Sequence, residues 1–322
     1  MRNLLLYHLV SGHAWFTCGG VFLLVIILDV FMVFDGRQRL RRAGPLLLLL
    51  LVVLAGLSGT PLSLWLAGPL LASCLAYAFY GFANRRLALR FSIGACAAVF
   101  VLAGLILELP YHFPGSLHGP RLERLYVIGD SLAAGTGDES MTWPRLLGKE
   151  TGLEVRDLSE QGATTRWALK RQASRLGPEA RPEEVVLIEI GGHDMLGTAG
   201  ADAFGEAFDQ LLSAAQGDGA HPRGLVVLEL PIIPGKWAYG AQQRRVAARH
   251  GALLVPKRLL AGVVLTQENT TDGLHLSTTG HERMAQLLIP WLGVASAQLE
   301  SGKATERLIC PSPWSDYARA GR

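Results

Sequence analysis

Five residues between positions 131 and 275 are of types that could do chemistry together. Ser131 stands in Gly129-Asp130-Ser131-Leu132, directly after an apolar run at 125–128. A serine where a strand gives way to a helix has an exposed hydroxyl and a free backbone N–H, which suits a nucleophile. Asp272 and His275 stand three residues apart in Asp272-Gly273-Leu274-His275. A carboxylate at that spacing can turn back to hold the imidazole Nδ1–H, leaving Nε2 to take the serine's proton. Between these pieces, Gly162 follows a second apolar run and His193 closes a third, in Gly191-Gly192-His193-Asp194. Each piece alone reads equally well as a turn or a cap. All four at the ends of apolar runs, in this order, point to acyl transfer through a serine.

The elements that must position them alternate. Short apolar runs at 125–128, 153–158, 185–190, 225–230 and 253–255 predict buried strands. Stretches at 143–151, 164–176, 201–215, 238–250 and 282–292 predict helices, with Thr142 and Thr279 as N-caps. Strands alternating with helices imply an α/β domain, a parallel sheet covered on both faces. In such a sheet the ligand site lies beyond the C-terminal ends of the strands.

These motifs resemble the SGNH/GDSL hydrolase family over residues 125–292, with the spacing most similar to its thioesterase/lysophospholipase/arylesterase branch. The resemblance implies a flavodoxin-like SGNH fold, Ser131 as nucleophile, His275 as general base and Asp272 as its orienter. It also implies an oxyanion hole from the backbone N–H of Ser131 and Gly162 and the side chain at position 193. One departure stands out. The family's third motif is Gly-x-Asn-Asp, and here His193 occupies the asparagine's place. A neutral imidazole can donate one N–H, so the expectation is that His193 serves as that donor.

The first 110 residues are of another kind. Four apolar segments, at 9–34, 45–57, 62–82 and 91–109, predict an all-α transmembrane region of about four helices, the second being short for a span. The first is too long for a signal peptide and is read as retained. Arg37, Arg39, Arg41 and Arg42 lie between the first two segments, and Arg85, Arg86 and Arg90 between the last two. The positive-inside rule puts both loops in the cytoplasm and everything after residue 109 on the periplasmic or extracellular side. Residues 111–121 read as a linker reaching at most about 40 Å, 122–293 as the hydrolase domain, and 294–322 as a loosely ordered tail.

Charge and cysteines narrow the function classes. Residues 1–110 hold eight arginines against three acidic residues, so the basic balance belongs to the apolar half and no basic stripe suggests nucleic acid. Cys18, Cys74, Cys96 and Cys310 show no pairing or zinc spacing. His221, His250 and His281 form no metal-ligand pattern and are expected to be solvent-facing. No cofactor or metal is expected; the expected partners are the lipid bilayer and an acylated lipid or glycan substrate. The leading expectation is a membrane-anchored serine esterase. The alternatives are an O-acyltransferase acting on surface glycans, and a catalytically weakened scaffold or binding module.

Overall fold

The computed structural model describes residues 3–34, 43–62, 64–83, 87–113, 122–137, 141–177, 179–217 and 221–292. The basic residues Arg37, Arg39, Arg41, Arg42, Arg85 and Arg86, most of the expected linker and the tail lie outside these.

The second half builds a five-stranded parallel sheet from β1 (Arg124–Gly129), β2 (Glu154–Asp157), β3 (Glu184–Glu189), β4 (Gly224–Leu228) and β5 (Leu253–Val255), in the order β2-β1-β3-β4-β5. That order matches the flavodoxin-like arrangement, whose direction reverses between β1 and β3. Successive strand residues point to opposite faces. Tyr126, Ile128, Val186, Ile188 and Val227 therefore pack under α10 (Ala201–Gln216) and α11 (Trp237–Arg249). Leu125, Val127, Leu187 and Val226 pack on the other side, against α7 (Trp143–Thr151), α12 (Lys257–Val264) and α13 (Thr278–Leu288). Both faces are covered, which is why β1, β3 and β4 read as unbroken apolar runs.

Three sequence expectations need correction. The run at 153–158 is not a buried strand: β2 is an edge strand that exposes Glu154, whose carboxylate pairs with Arg124 and Arg156. The helix expected at 164–176 starts as α8 (Thr165–Trp167), then continues as a π-helical stretch over Ala168–Gln172 and a 3₁₀ turn over Ala173–Arg175. The last helix is capped by Ser277, whose hydroxyl accepts from Gly280 N–H, so Thr279 lies inside it.

The first half is helical: α1 (Leu4–Val10), α2 (His13–Phe34), α3 (Ala43–Gly56), α4 (Leu64–Ala83) and α5 (Leu87–His112). Phe22, Leu48, Cys74, Tyr77 and Val101 meet in their interior, while Leu24, Val53, Phe79 and Val99 are exposed. Among the described residues, one helix, Phe91–His112, is long and apolar enough to cross a membrane. The pair α1–α2 would make a second, but it bends by 88° at Ser11-Gly12. The expected span at 9–34 is thus split, with Leu9 and Val10 belonging to a separate helix.

The two halves are in direct contact, and α5 runs through Pro110 to His112, into the expected linker. Tyr7 and Val10 of α1 pack on Ala261 of α12. Arg244 of α11 reaches Glu108 of α5 with both terminal nitrogens, at 2.6 and 3.0 Å, and donates from Nε to Glu229 at 2.6 Å. Its guanidinium also stacks on Tyr111, 3.7 Å from the ring centre. Lys257 donates to the carbonyl of Gly59, in the α3–α4 loop, at 2.7 Å, and lies 3.7 Å from Glu229. Glu229 follows β4 and Lys257 follows β5, so the helical half docks at the C-terminal end of the sheet. A Cβ at Gly59 would lie 2.6 Å from the Ile232 carbonyl, so only glycine permits this approach.

Candidate active site

Ser131 opens a one-turn helix, α6 (Ser131–Ala134), directly at the end of β1. Asp130 caps that turn by accepting Leu132 N–H at 3.0 Å, which leaves the serine at the helix start. The turn is braced from behind by the fully buried Trp143, whose indole donates to the Leu132 carbonyl at 3.0 Å. Below it, Gly129 has no room for a side chain: a Cβ would lie 2.8 Å from that of Ala133.

Asp272 and His275 meet as their spacing predicts. Asp272 Oδ2 lies 2.6 Å from His275 Nδ1, while Oδ1 accepts the backbone N–H groups of Leu274 and His275 at 2.9 and 2.7 Å. Hydrogen bonds from the His275 ring and from these two N–H groups hold the Asp272 carboxyl well below the usual carboxylate range. An anion there favours the tautomer with its proton on Nδ1, so that Nε2 is the basic nitrogen.

The remaining pieces converge on Asp130. Burial pushes its carboxyl up, and the hydrogen bond from Leu132 N–H, followed by the nearby His193 and His275 imidazoles, pulls against that. Both histidines thus stand within electrostatic reach of the residue beside Ser131. His193 lies on α9 (Gly192–Leu196), which leaves the end of β3, and the Gly192 α-carbon faces Asp130. Gly162 sits in the turn after β2 with φ +70°, a conformation that glycine adopts without strain. Its turn is tied to the serine turn by Gln161, which donates to the Gly135 carbonyl at 2.8 Å, and by Glu160 N–H to the Gly129 carbonyl. Ser131, Gly162 and His193 therefore stand just beyond the C-terminal ends of β1, β2 and β3, around the β1/β3 reversal, with the Asp272–His275 pair near Asp130.

Three supporting residues escaped the sequence reading. Gln172, fully buried in the π-helical stretch, both accepts from Gly129 N–H at 3.0 Å and donates to Gly129 C=O at 2.9 Å. The extra residue of a π turn is what turns this carboxamide inward, and such turns cluster at functional sites. Asp194 accepts Thr165 N–H and Oγ1–H at 2.8 and 3.0 Å, tying the loop after β3 to that after β2. Glu189, level with Gly129 in the sheet, is fully buried, and burial with the nearby Asp130 charge pushes its carboxyl well above the usual range. His281, expected at the surface, is instead fully buried, with Nδ1 accepting Trp143 N–H at 3.2 Å. His250 is partly buried beside Asp209 and Gln216.

Residues 127–283 match the family profile described as GDSL-like Lipase/Acylhydrolase family. Among solved structures, TesA is 26% identical, covering 53% of this chain and 98% of its own, with a TM-score of 0.46. The psychrotrophic esterase EstA from Pseudoalteromonas sp. is 19% identical, with 53% and 98% covered and a TM-score of 0.45. AlinE4, an SGNH-hydrolase family esterase, is 21% identical, with 53% and 95% covered and a TM-score of 0.40. No curated protein matches the sequence significantly. The serine turn, the Asp-x-x-His pair and the β3 loop all fall inside the matched segment, so it is over residues 127–283 that this chain is similar to the GDSL-like Lipase/Acylhydrolase family.

Proposed function

We propose that this protein is a membrane-anchored serine esterase that cleaves carboxylic esters of envelope lipids or glycans through an acyl-serine intermediate. The observation that carries this reading is the 2.6 Å contact between Asp272 and His275, with Ser131 at the start of the turn that leaves β1. Ser131 Oγ attacks the ester carbonyl while His275 Nε2 takes its proton. The oxyanion forms toward the N–H groups of Ser131 and Gly162 and the imidazole of His193. Collapse expels the alcohol, which receives the proton from His275, and water then repeats the sequence on the acyl-serine. Each well-placed oxyanion donor contributes about 3–4 kcal/mol to such a step.

The anchor in this reading is α2–α5, with the α/β domain on the periplasmic or extracellular side. Its support is the exposed apolar surface of these helices and the arginines at 37–42 and 85–90. The test is Ser131→Ala. The full-length variant in detergent is expected to lose p-nitrophenyl ester turnover and labelling by a fluorophosphonate probe while keeping its thermal transition. Unchanged labelling would place the nucleophile elsewhere. Ester consumption that yields acylated sugar in preference to free acid would make the protein a transferase.

A further inference from the structure

The large apolar side chains that the α/β domain exposes are not scattered. Among the described residues they are Trp167, Leu196, Ile233, Trp237 and Leu274. Trp167 follows β2, Leu196 follows β3, Ile233 and Trp237 follow β4, and Leu274 immediately precedes His275. All five therefore lie on the C-terminal rim of the sheet, the rim that holds the candidate site. Leu196, three residues from His193, is 61% exposed. Isolated exposed leucines need no explanation, but an apolar set confined to one rim marks an interaction surface.

The same rim carries the helical half. Trp237 donates from its indole to the Ser58 carbonyl at 2.7 Å, and Ile232 lies against Gly59. The rim set is thus continuous with the outer end of the apolar helices. The bend between α1 and α2 sharpens the placement. With α2 along the membrane normal, an 88° turn lays α1 in the plane of the surface. One side of α1, through Tyr7 and Val10, packs on α12, while Leu4, Leu5 and Leu6 are exposed. A short apolar helix lying flat between a domain and a bilayer has the geometry of an interfacial anchor.

We propose that the C-terminal rim of the α/β domain is a lipid-facing surface, on which Leu196, Ile233 and Leu274 receive the acyl chain of an ester lipid drawn directly from the adjoining leaflet. This rests on the esterase reading for what happens to the lipid and on the membrane-anchor reading for where the rim lies. The buried Glu108–Arg244–Glu229–Lys257 network then has a positional role: it locks the mouth at a constant height over the membrane.

Two measurements on the full-length protein in phospholipid nanodiscs test this. A benzophenone amino acid at position 196 or 233 is expected to crosslink to lipid at least tenfold more than one at 221, which precedes β4 at the opposite end of the sheet. Equal yields at the three positions, or crosslinks to a co-purifying protein in place of lipid, would overturn the proposal. In the second, Leu196→Asn is expected to lower the ratio of turnover on nanodisc-embedded monoacyl phospholipid to turnover on p-nitrophenyl acetate about tenfold. An unchanged ratio would remove Leu196 from chain recognition and the acyl-chain role with it. Wild-type protein that hydrolyses neither ester would sink the esterase reading, while the crosslinks would still decide the orientation of the rim.

Discussion

The carboxamide of Gln172 closes a two-point hydrogen bond on Gly129, taking its N–H at 3.0 Å and giving to its C=O at 2.9 Å. Gly129 is the last residue of β1, two before Ser131, so this grip sets where the strand ends and the serine turn begins. Replacing Gln172 by leucine is expected to lower kcat about tenfold with little change in KM, because the nucleophile shifts while the substrate surface stays. It also leaves the Gly129 N–H without that acceptor, at a stability cost of about 1–3 kcal/mol. A Gln172→Leu enzyme with wild-type kcat would show that the sheet alone holds the turn.

His193 occupies the place where an amide is expected. Its removal in His193→Ala should lower kcat about a hundred- to a thousandfold with KM nearly constant, the signature of a donor used in the transition state. His193→Asn should recover part of that loss. Steady-state kinetics on one short-chain ester suffice to tell, and an alanine variant as active as wild type would leave the hole to backbone groups.

Glu189 makes a prediction about stability and pH. Burial, reinforced by Asp130, keeps its carboxyl protonated in the folded protein well above the usual range. In the unfolded chain it ionises near about 4.3. From there up to the raised folded value the unfolded state holds fewer protons, so this group lowers stability as pH rises. Glu189→Gln removes that slope. The variant should be more stable than wild type at pH 7 and no more stable at pH 4. Thermal unfolding at the two pH values checks it; an equal effect at both would mean the folded carboxyl is already ionised.

The seam between the halves should be unforgiving. Glu229 is held below the usual carboxylate range: burial raises it, but the charges of Lys257 and Arg244 outweigh that. Burial in turn drives the Lys257 ammonium down to about 8, against the pull of Glu229. Arg244→Met strips both carboxylates of their guanidinium and should cost about 3–5 kcal/mol. Adding Glu108→Gln should recover part of the loss, since one buried charge is then gone. Detergent-solubilised melting curves would show this, and a double variant no better than the single would mean the two groups act independently.

The parts of this fold that the sequence announced are those buried on both sides. β1, β3 and β4 appear as unbroken apolar runs because helices cover both sheet faces. The Asp272–His275 pair was legible because three residues of chain bring the partners together by themselves. Supports that depend on distant chain were silent. Gln172 reads as a surface glutamine in a helix until a π turn rotates it inward, and His281 reads as solvent-facing until α13 packs on the start of α7. The docked seam was hidden most thoroughly. Glu108, Arg244, Glu229 and Lys257 come from four separate stretches, and nothing within any one of them names its partners. The proline- and glycine-rich stretch at 110–121 therefore suggested a loose tether, although contacts on either side of it hold the domain in place.

The contact between α1 and α12 also dictates an order of events during synthesis. α1 leaves the ribosome while α12 has yet to be translated, so Tyr7 and Val10 meet Ala261 only once the α/β domain has been made as far as α12. Chains grow and fold from the N-terminal side; here the seat of the first helix is completed only when α12 and α13, the last helices of the α/β domain among the described residues, arrive.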